Sequence, residues 1–144
     1  MPARQPFTAL CQLAARGPYA GRVDLHIHTT HSDGTYTPAQ IVDLARRAGL
    51  TALAVTDHDA LGGVTVARSA AVGSALEIVA GAEITTEYRQ RELHLLAYFV
   101  ALDHVGLTTA LEDIRRHRVE RFHEMVERLR GRGVSLDEEQ QRVQ

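Results

Sequence analysis

The 144-residue sequence predicts an α/β fold built on a parallel sheet of about four strands. Two observations carry that reading. Short apolar runs alternate with segments of helical period, and alternating strands and helices pack as a parallel sheet with right-handed crossovers. The histidines and acids without an obvious structural duty also gather where those apolar runs stop. Parallel α/β folds build their sites along that edge. No internal repeat or low-complexity linker interrupts the pattern.

The elements follow in order. Val23 to His28 reads as the first strand. Thr37 and Pro38 supply an N-cap and a first-turn proline for a helix to about Arg47, closed by Gly49. Leu50 to Thr56 is apolar almost throughout and reads as a buried strand. Gly62 to Gly73 is a short alanine-rich helix, and Leu76 to Ala82 a third strand. Glu92 to Val100 is a fourth strand, reached through a loop in place of a helix, with Gln90 and Arg91 in the turn. One long helix runs from Leu107 to about Arg130 and stops near Gly131 and Gly133. Asp137 opens the first turn of a further helix.

Composition bounds the partners. The apolar fraction is 44%, enough for a packed core, and the net charge of −2 advertises neither nucleic acid nor membrane. No apolar run approaches the roughly 20 residues that span a bilayer. Cys11 is the only cysteine, which excludes an intramolecular disulfide and points to a reducing cytoplasm. All 16 basic residues are arginine. Codon bias is the leading explanation, and composition alone does not support the other, a preference for bidentate phosphate contacts. Residues 1–21 contain no acid and read as a flexible N-terminal extension, with a transit segment as the other reading.

The chemistry lies in a few short segments. His26 and His28 are two apart on a strand, so both rings face the same side, and two convergent imidazoles suit a divalent metal. Asp33 follows in a Ser-Asp-Gly turn, where its oxygen could equally serve the turn itself. Thr56-Asp57-His58-Asp59 sits where the second strand ends, with helix capping by Asp59 as the plain alternative. Glu83 closes the third strand, where binding a cation would remove the cost of desolvating a carboxylate. His94 lies in an otherwise apolar strand and is either a ligand or a satisfied core histidine. Mixed imidazole and carboxylate donors suit zinc, manganese or iron rather than calcium. Six such donors exceed one tetrahedral zinc, so at least two metal ions are implied.

Asp24-Leu-His-Ile-His-Thr-Thr-His-Ser-Asp-Gly34, Thr56-Asp-His-Asp59, Gly81-Ala-Glu83 and Leu93-His-Leu-Leu-Ala-Tyr98 together resemble the PHP (polymerase and histidinol phosphatase) family. The likeness is strongest to its TrpH branch, which includes nucleoside 3′,5′-bisphosphate phosphatases and 5′-to-3′ exoribonucleases. It covers roughly residues 22–136, so residues 22–144 are expected to be the N-terminal part of one PHP domain. The resemblance implies a distorted (β/α)7 TIM-like barrel holding two to three divalent ions. His26 and His28 would bind the first, with Glu83 bridging it to another. Asp33 and His58, the expected catalytic pair, belong to a second, and His94 joins Glu83 at the third. The family completes its centre with a further histidine and an Asp-x-His pair on later strands, and no Asp-x-His follows His94 in this sequence. His104, His117 and His123 lie in a loop and on the long helix, not at strand ends.

On that helix Leu111, Ile114, Phe122, Met125 and Leu129 form an apolar stripe, with Arg118 at its centre and Arg121 at its edge. Arg118 is either a snorkelling or ion-paired side chain or, with Arg121, a clamp on substrate phosphate. Arg115, Arg116, Arg128 and Arg130, interleaved with glutamates, read as a solvated face. The expected reaction is hydrolysis of a phosphomonoester, nucleotide or short RNA phosphate by metal-activated hydroxide. Asp24, Asp57 and Asp59 are expected to accept imidazole protons from ligand histidines. His31 is the one weak contender for leaving-group acid. The alternative is a catalytically incomplete metal-binding module, or half of an assembly completed by a missing segment or another chain. A polymerase-associated proofreading domain ranks last, because no polymerase sequence is present.

Overall fold

The computed structural model describes residues 21–134 and 136–137. The expected extension up to residue 20 and the turn expected beyond Asp137 lie outside them. Four strands, β1 (Arg22–Ile27), β2 (Leu50–Val55), β3 (Glu77–Tyr88) and β4 (Arg91–Tyr98), form one sheet in the order β1-β2-β3-β4. Three helices lie between or after them: α1 (Pro38–Arg47), α2 (Gly62–Ala71) and α3 (Val105–Arg130).

Local sequence explains each boundary. Thr37 caps α1 through a reciprocal pair: Gln40 N donates to Thr37 Oγ1, and Thr37 N donates to Gln40 Oε1. Gly49 follows at φ +71°, the left-handed conformation that glycine adopts without steric cost. The start of α2 presses on a buried acid. A Cβ at Gly63 would stand 2.3 Å from Asp57 Oδ2, so only glycine fits there. Helix α3 begins at Val105, two residues before the expected start, because His104 caps it by accepting from Leu107 N at 3.1 Å.

β1, β2 and β3 run parallel, as expected for βαβ units. β4 does not. It pairs antiparallel with β3, from Gly81 opposite Tyr98 to Tyr88 opposite Arg91. The expectation of four parallel strands and a long loop is corrected here. A turn of two residues, Arg89 and Gln90, joins β3 to β4, and no crossover fits in that length. Both turn residues have positive φ, as primed hairpin turns require. The hairpin also carries β3 to Tyr88, so Glu83 lies within the strand and not at its end.

Helices α1 and α2 cover one face of the sheet. Val42, Ala45, Val64, Ala67 and Ala71 pack there on Leu53, Val55, Ile78 and Ala80. The sheet curls strongly: the Tyr98 hydroxyl on β4 donates to Leu25 O on β1 at 2.9 Å, linking its two outer strands. That curl encloses the ends of β1 and β2 and the middle of β3, where the polar residues are.

Candidate metal centre

The loops that carry the ligands are held by buried carboxylates. Asp57 is fully buried just past β2 and accepts three hydrogen bonds, from Thr29 N at 2.6 Å, Thr29 Oγ1 at 2.8 Å and Ser32 Oγ at 2.8 Å. It thereby shapes the loop after β1 that ends in Asp33. Asp59, also buried, accepts from Thr85 N at 2.8 Å and Thr85 Oγ1 at 3.0 Å, which pins the loop after β2 to the hairpin. Its backbone sits at φ +47°, a conformation that aspartate visits more readily than most residues. Asp24 accepts from His26 N at 3.3 Å. These bonds correct the expectation that Asp24, Asp57 and Asp59 receive imidazole protons. They brace backbone and hydroxyls instead.

Glu83 is the hub. Its Oε2 lies 2.8 Å from His26 Nε2 and 2.8 Å from His28 Nε2, and those two nitrogens are 3.1 Å apart. Its Oε1 lies 2.9 Å from His94 Nδ1. His28 Nδ1 meets Asp33 Oδ1 at 2.7 Å. His58 Nε2 stands 3.7 Å from Asp33 Oδ2 and 3.9 Å from Glu83 Oε2, too far to hydrogen-bond either. Its Nδ1 is buried and has no partner among the described residues. All six expected ligands therefore converge. Antiparallel pairing brings His94 in: it lies opposite Thr85, two residues along β3 from Glu83.

The donors fit divalent cations. Around a tetrahedral ion with bonds of about 2.0–2.1 Å, ligand atoms stand roughly 3.3 Å apart. The His26, His28 and Glu83 atoms approach that spacing, and His58 sits from its carboxylates at a distance one shared ion spans. Three overlapping groups result among the described residues: His26, His28 and Glu83; His28, Asp33 and His58; His58, Glu83 and His94.

Electrostatics keeps most donors ready to ligate. Burial pushes the Glu83 carboxyl up, but the hydrogen bond from His26 and the charges of His58, His26 and His28 outweigh it, leaving it below its ordinary range. Asp33 follows the same pattern, with burial outweighed mainly by His28 and then His58. Burial holds His58 below the usual imidazole range, against the pull of Glu83 and Asp33. His94 is raised, chiefly by its hydrogen bond to Glu92 and then, against burial, by Glu83.

α3 closes one side. Arg118 Nη2 donates to the buried Asp59 Oδ2, and to Thr85 Oγ1 at 2.6 Å. The ion-paired reading of Arg118 is therefore realised, although its half-exposed side chain still lines a cavity of about 50 Å³ with His31, Ser32, Asp33, His58 and Arg115. A larger cavity of about 290 Å³ shares His31 and Arg115 with it. Arg115 is exposed, as expected for the solvated face, and also lines both cavities. Its signal was legible only as the position three residues before Arg118, one helical turn away. Arg121 lines a separate cavity with Thr85, Glu92 and His117, away from Asp33 and His58. Met125 is exposed and Val126 takes its expected place on the buried face.

A family model described as the PHP domain matches residues 24–133, a stretch that contains all six residues of the cluster. The chain belongs to the PHP domain family. This PHP domain is 31% identical over 113 residues to a 3′,5′-nucleoside bisphosphate phosphatase of Chromobacterium violaceum, a match covering 78% of this chain and 40% of that protein. It is 32% identical to a 5′-3′ exoribonuclease of Haemophilus influenzae, covering 78% of this chain and 41% of that protein. A solved structure from Bifidobacterium adolescentis, described as a metal-dependent phosphoesterase, superposes with a TM-score of 0.71 at 35% identity. That match covers 80% of this chain and 40% of the other. The chain thus spans about 40% of the length of these relatives. Among the described residues no helix is long and apolar enough to cross a membrane.

Proposed function

We propose that this PHP domain contributes the cation-binding half of a hydrolase acting on a phosphomonoester, a nucleotide or a short RNA phosphate. The supporting observation is the Glu83 carboxylate set among His26, His28, His58 and His94, beside the small cavity walled by Asp33 and Arg118. Held by His26, His28, Asp33, His58, Glu83 and His94, two or three divalent ions of manganese, zinc or iron would lower the pKa of a water to about 7 and offset phosphate charge. The chain's own groups do the rest. Arg118, held by Asp59, presents its exposed edge to non-bridging oxygens, with Arg115 beside it. Asp33 and His58 stay unprotonated at neutral pH and so remain able to ligate.

The test is metal analysis and hydrolysis of a nucleoside bisphosphate and a short 5′-phosphorylated RNA with added manganese. Changing Asp33→Ala and His58→Ala together is expected to reduce turnover roughly a hundredfold or more. Turnover at the parental rate in that double variant sinks the assignment. A second reading is favoured by the exposed apolar side chains on the outer strands, Val23 and Leu25 of β1 and Leu93 and Leu95 of β4. In it this stretch binds cations but turns over only when a further segment or another chain supplies the remaining ligands. Cation binding without hydrolysis favours that reading.

A further inference from the structure

His94 is gripped at both ring nitrogens. Nδ1 meets Glu83 Oε1 at 2.9 Å, inside the cluster, while Nε2 meets Glu92 Oε1 at 3.2 Å, outside it. A neutral imidazole carries one proton, so it can donate from one nitrogen only. A proton on Nδ1 would point at Glu83 and take that nitrogen away from a cation. A proton on Nε2 leaves the Nδ1 lone pair facing Glu83 and the ion between them.

The strand geometry places Glu92 where it can make that choice. Residues 92, 94 and 96 of β4 share a face, as do residues 83, 85 and 87 of β3. In the register, Glu83 lies opposite Leu96, Thr85 opposite His94, and Glu87 opposite Glu92. Two glutamates directly opposite each other repel, at a cost to the hairpin. The hydrogen bond to His94 gives Glu92 a compensating role at that position.

We propose that Glu92 is a positioning residue for the cation site formed by His58, Glu83 and His94. By accepting from Nε2–H it fixes the His94 tautomer and ring orientation and leaves Nδ1 free to ligate. A ligating histidine whose other nitrogen donates to a carboxylate is more basic and better oriented, and losing the partner weakens metal affinity about 10–100-fold. This rests on the reading of the cluster as a metal centre.

Two measurements test it on the whole chain. The first follows manganese and zinc affinity by competition with a chelator, in the parent, Glu92→Ala and Glu92→Gln. The amide oxygen of glutamine still accepts a hydrogen bond. Alanine is expected to weaken one cation equivalent about 10–100-fold, to spare the equivalent held by His26 and His28, and to be rescued by glutamine. The second is nitrogen-15 NMR of the metal-free protein at alkaline pH, where the ring is neutral. The parent and Glu92→Gln should show a share of His94 protonated at Nε2, and Glu92→Ala only the ring protonated at Nδ1, because Glu83 is then the one carboxylate left to accept from it. Unchanged affinity and an unchanged tautomer in Glu92→Ala overturn the proposal. So does a glutamine variant that behaves like alanine, since net charge and not hydrogen bonding would then be at work. A parent that binds no divalent ion removes the metal reading itself, whichever tautomer NMR finds.

Discussion

At the scale of single residues, the site depends on carboxylates that brace its loops. Asp57 holds three donors of the loop after β1. Replacing it by alanine leaves Thr29 N and neighbouring hydroxyls buried without a partner, at about 1–3 kcal/mol for such a group. Asp57→Ala is therefore expected to lower the free energy of unfolding by about 3 kcal/mol, read from urea titration. An effect within a few tenths of the parent would show that the loop is held by something else. Ionisation acts in both directions here. Glu83, Asp33 and His58 all have folded-state pKa values below their ordinary ones. On acidification the unfolded chain takes up protons first at these groups, so stability falls as pH drops. For His58 the loss begins below about pH 6.5, and for the two carboxylates below about pH 4. His94 is raised, so its contribution is fully present below about pH 6.5 and is lost as pH rises through its higher folded value. Removing it in His94→Ala should abolish the gain in stability that metal-free protein makes as pH falls towards about 6.5 from above, and leave the slope below about pH 6.5 unchanged. Parallel stability curves for the two would contradict this.

Among the elements, the β3–β4 hairpin decides most. It carries Glu83 and His94 on one face and gives Thr85 to both Asp59 and Arg118. Its turn is nonetheless poorly chosen for its geometry. Arg89 and Gln90 adopt φ +50° and +61°, where residues with a Cβ lose about 1–2 kcal/mol each. Asparagine and glycine suit such a turn. The double change Arg89→Asn, Gln90→Gly is expected to raise stability by about 1 kcal/mol without altering metal binding, checked by denaturant midpoint and metal content. A loss of stability would mean that the stacking of Arg89 on Tyr88 outweighs the backbone gain. Helix α3 is tied to the site by Arg118, which pairs with Asp59, and most of its length is exposed.

For the molecule as a whole, the cluster joins residues from β1, β3 and β4 and from the loops after β1 and β2, so an ion bound there crosslinks the fold. A cation at a hundred times its Kd adds about 2.7 kcal/mol of stability per site. Manganese or zinc is expected to raise Tm by several degrees, and a chelator to reverse the shift. A Tm indifferent to both would argue against a preformed site. Because histidines must be neutral to ligate, the rise should shrink as pH falls below about 6.5.

Much of this was legible in the sequence, for reasons of local chemistry. Period-two spacing placed His26 and His28 on one face, and the apolar runs that stop before His58 and at Glu83 marked the site edge, whereas Asp33 showed only as part of a turn. Capping residues fixed α1, and the helical stripe put Arg118 inward. The sequence could not show that β4 turns back on β3, because a two-residue turn of arginine and glutamine lacks the usual glycine or asparagine signal. Nor could it tell which acids face the imidazoles and which brace loops. Asp33 and Glu83 reach the imidazoles, whereas Asp57 and Asp59 face backbone donors and an arginine. That choice depends on the curl of the sheet and the approach of α3, contacts between residues dozens of positions apart, and only the assembled chain brings them together.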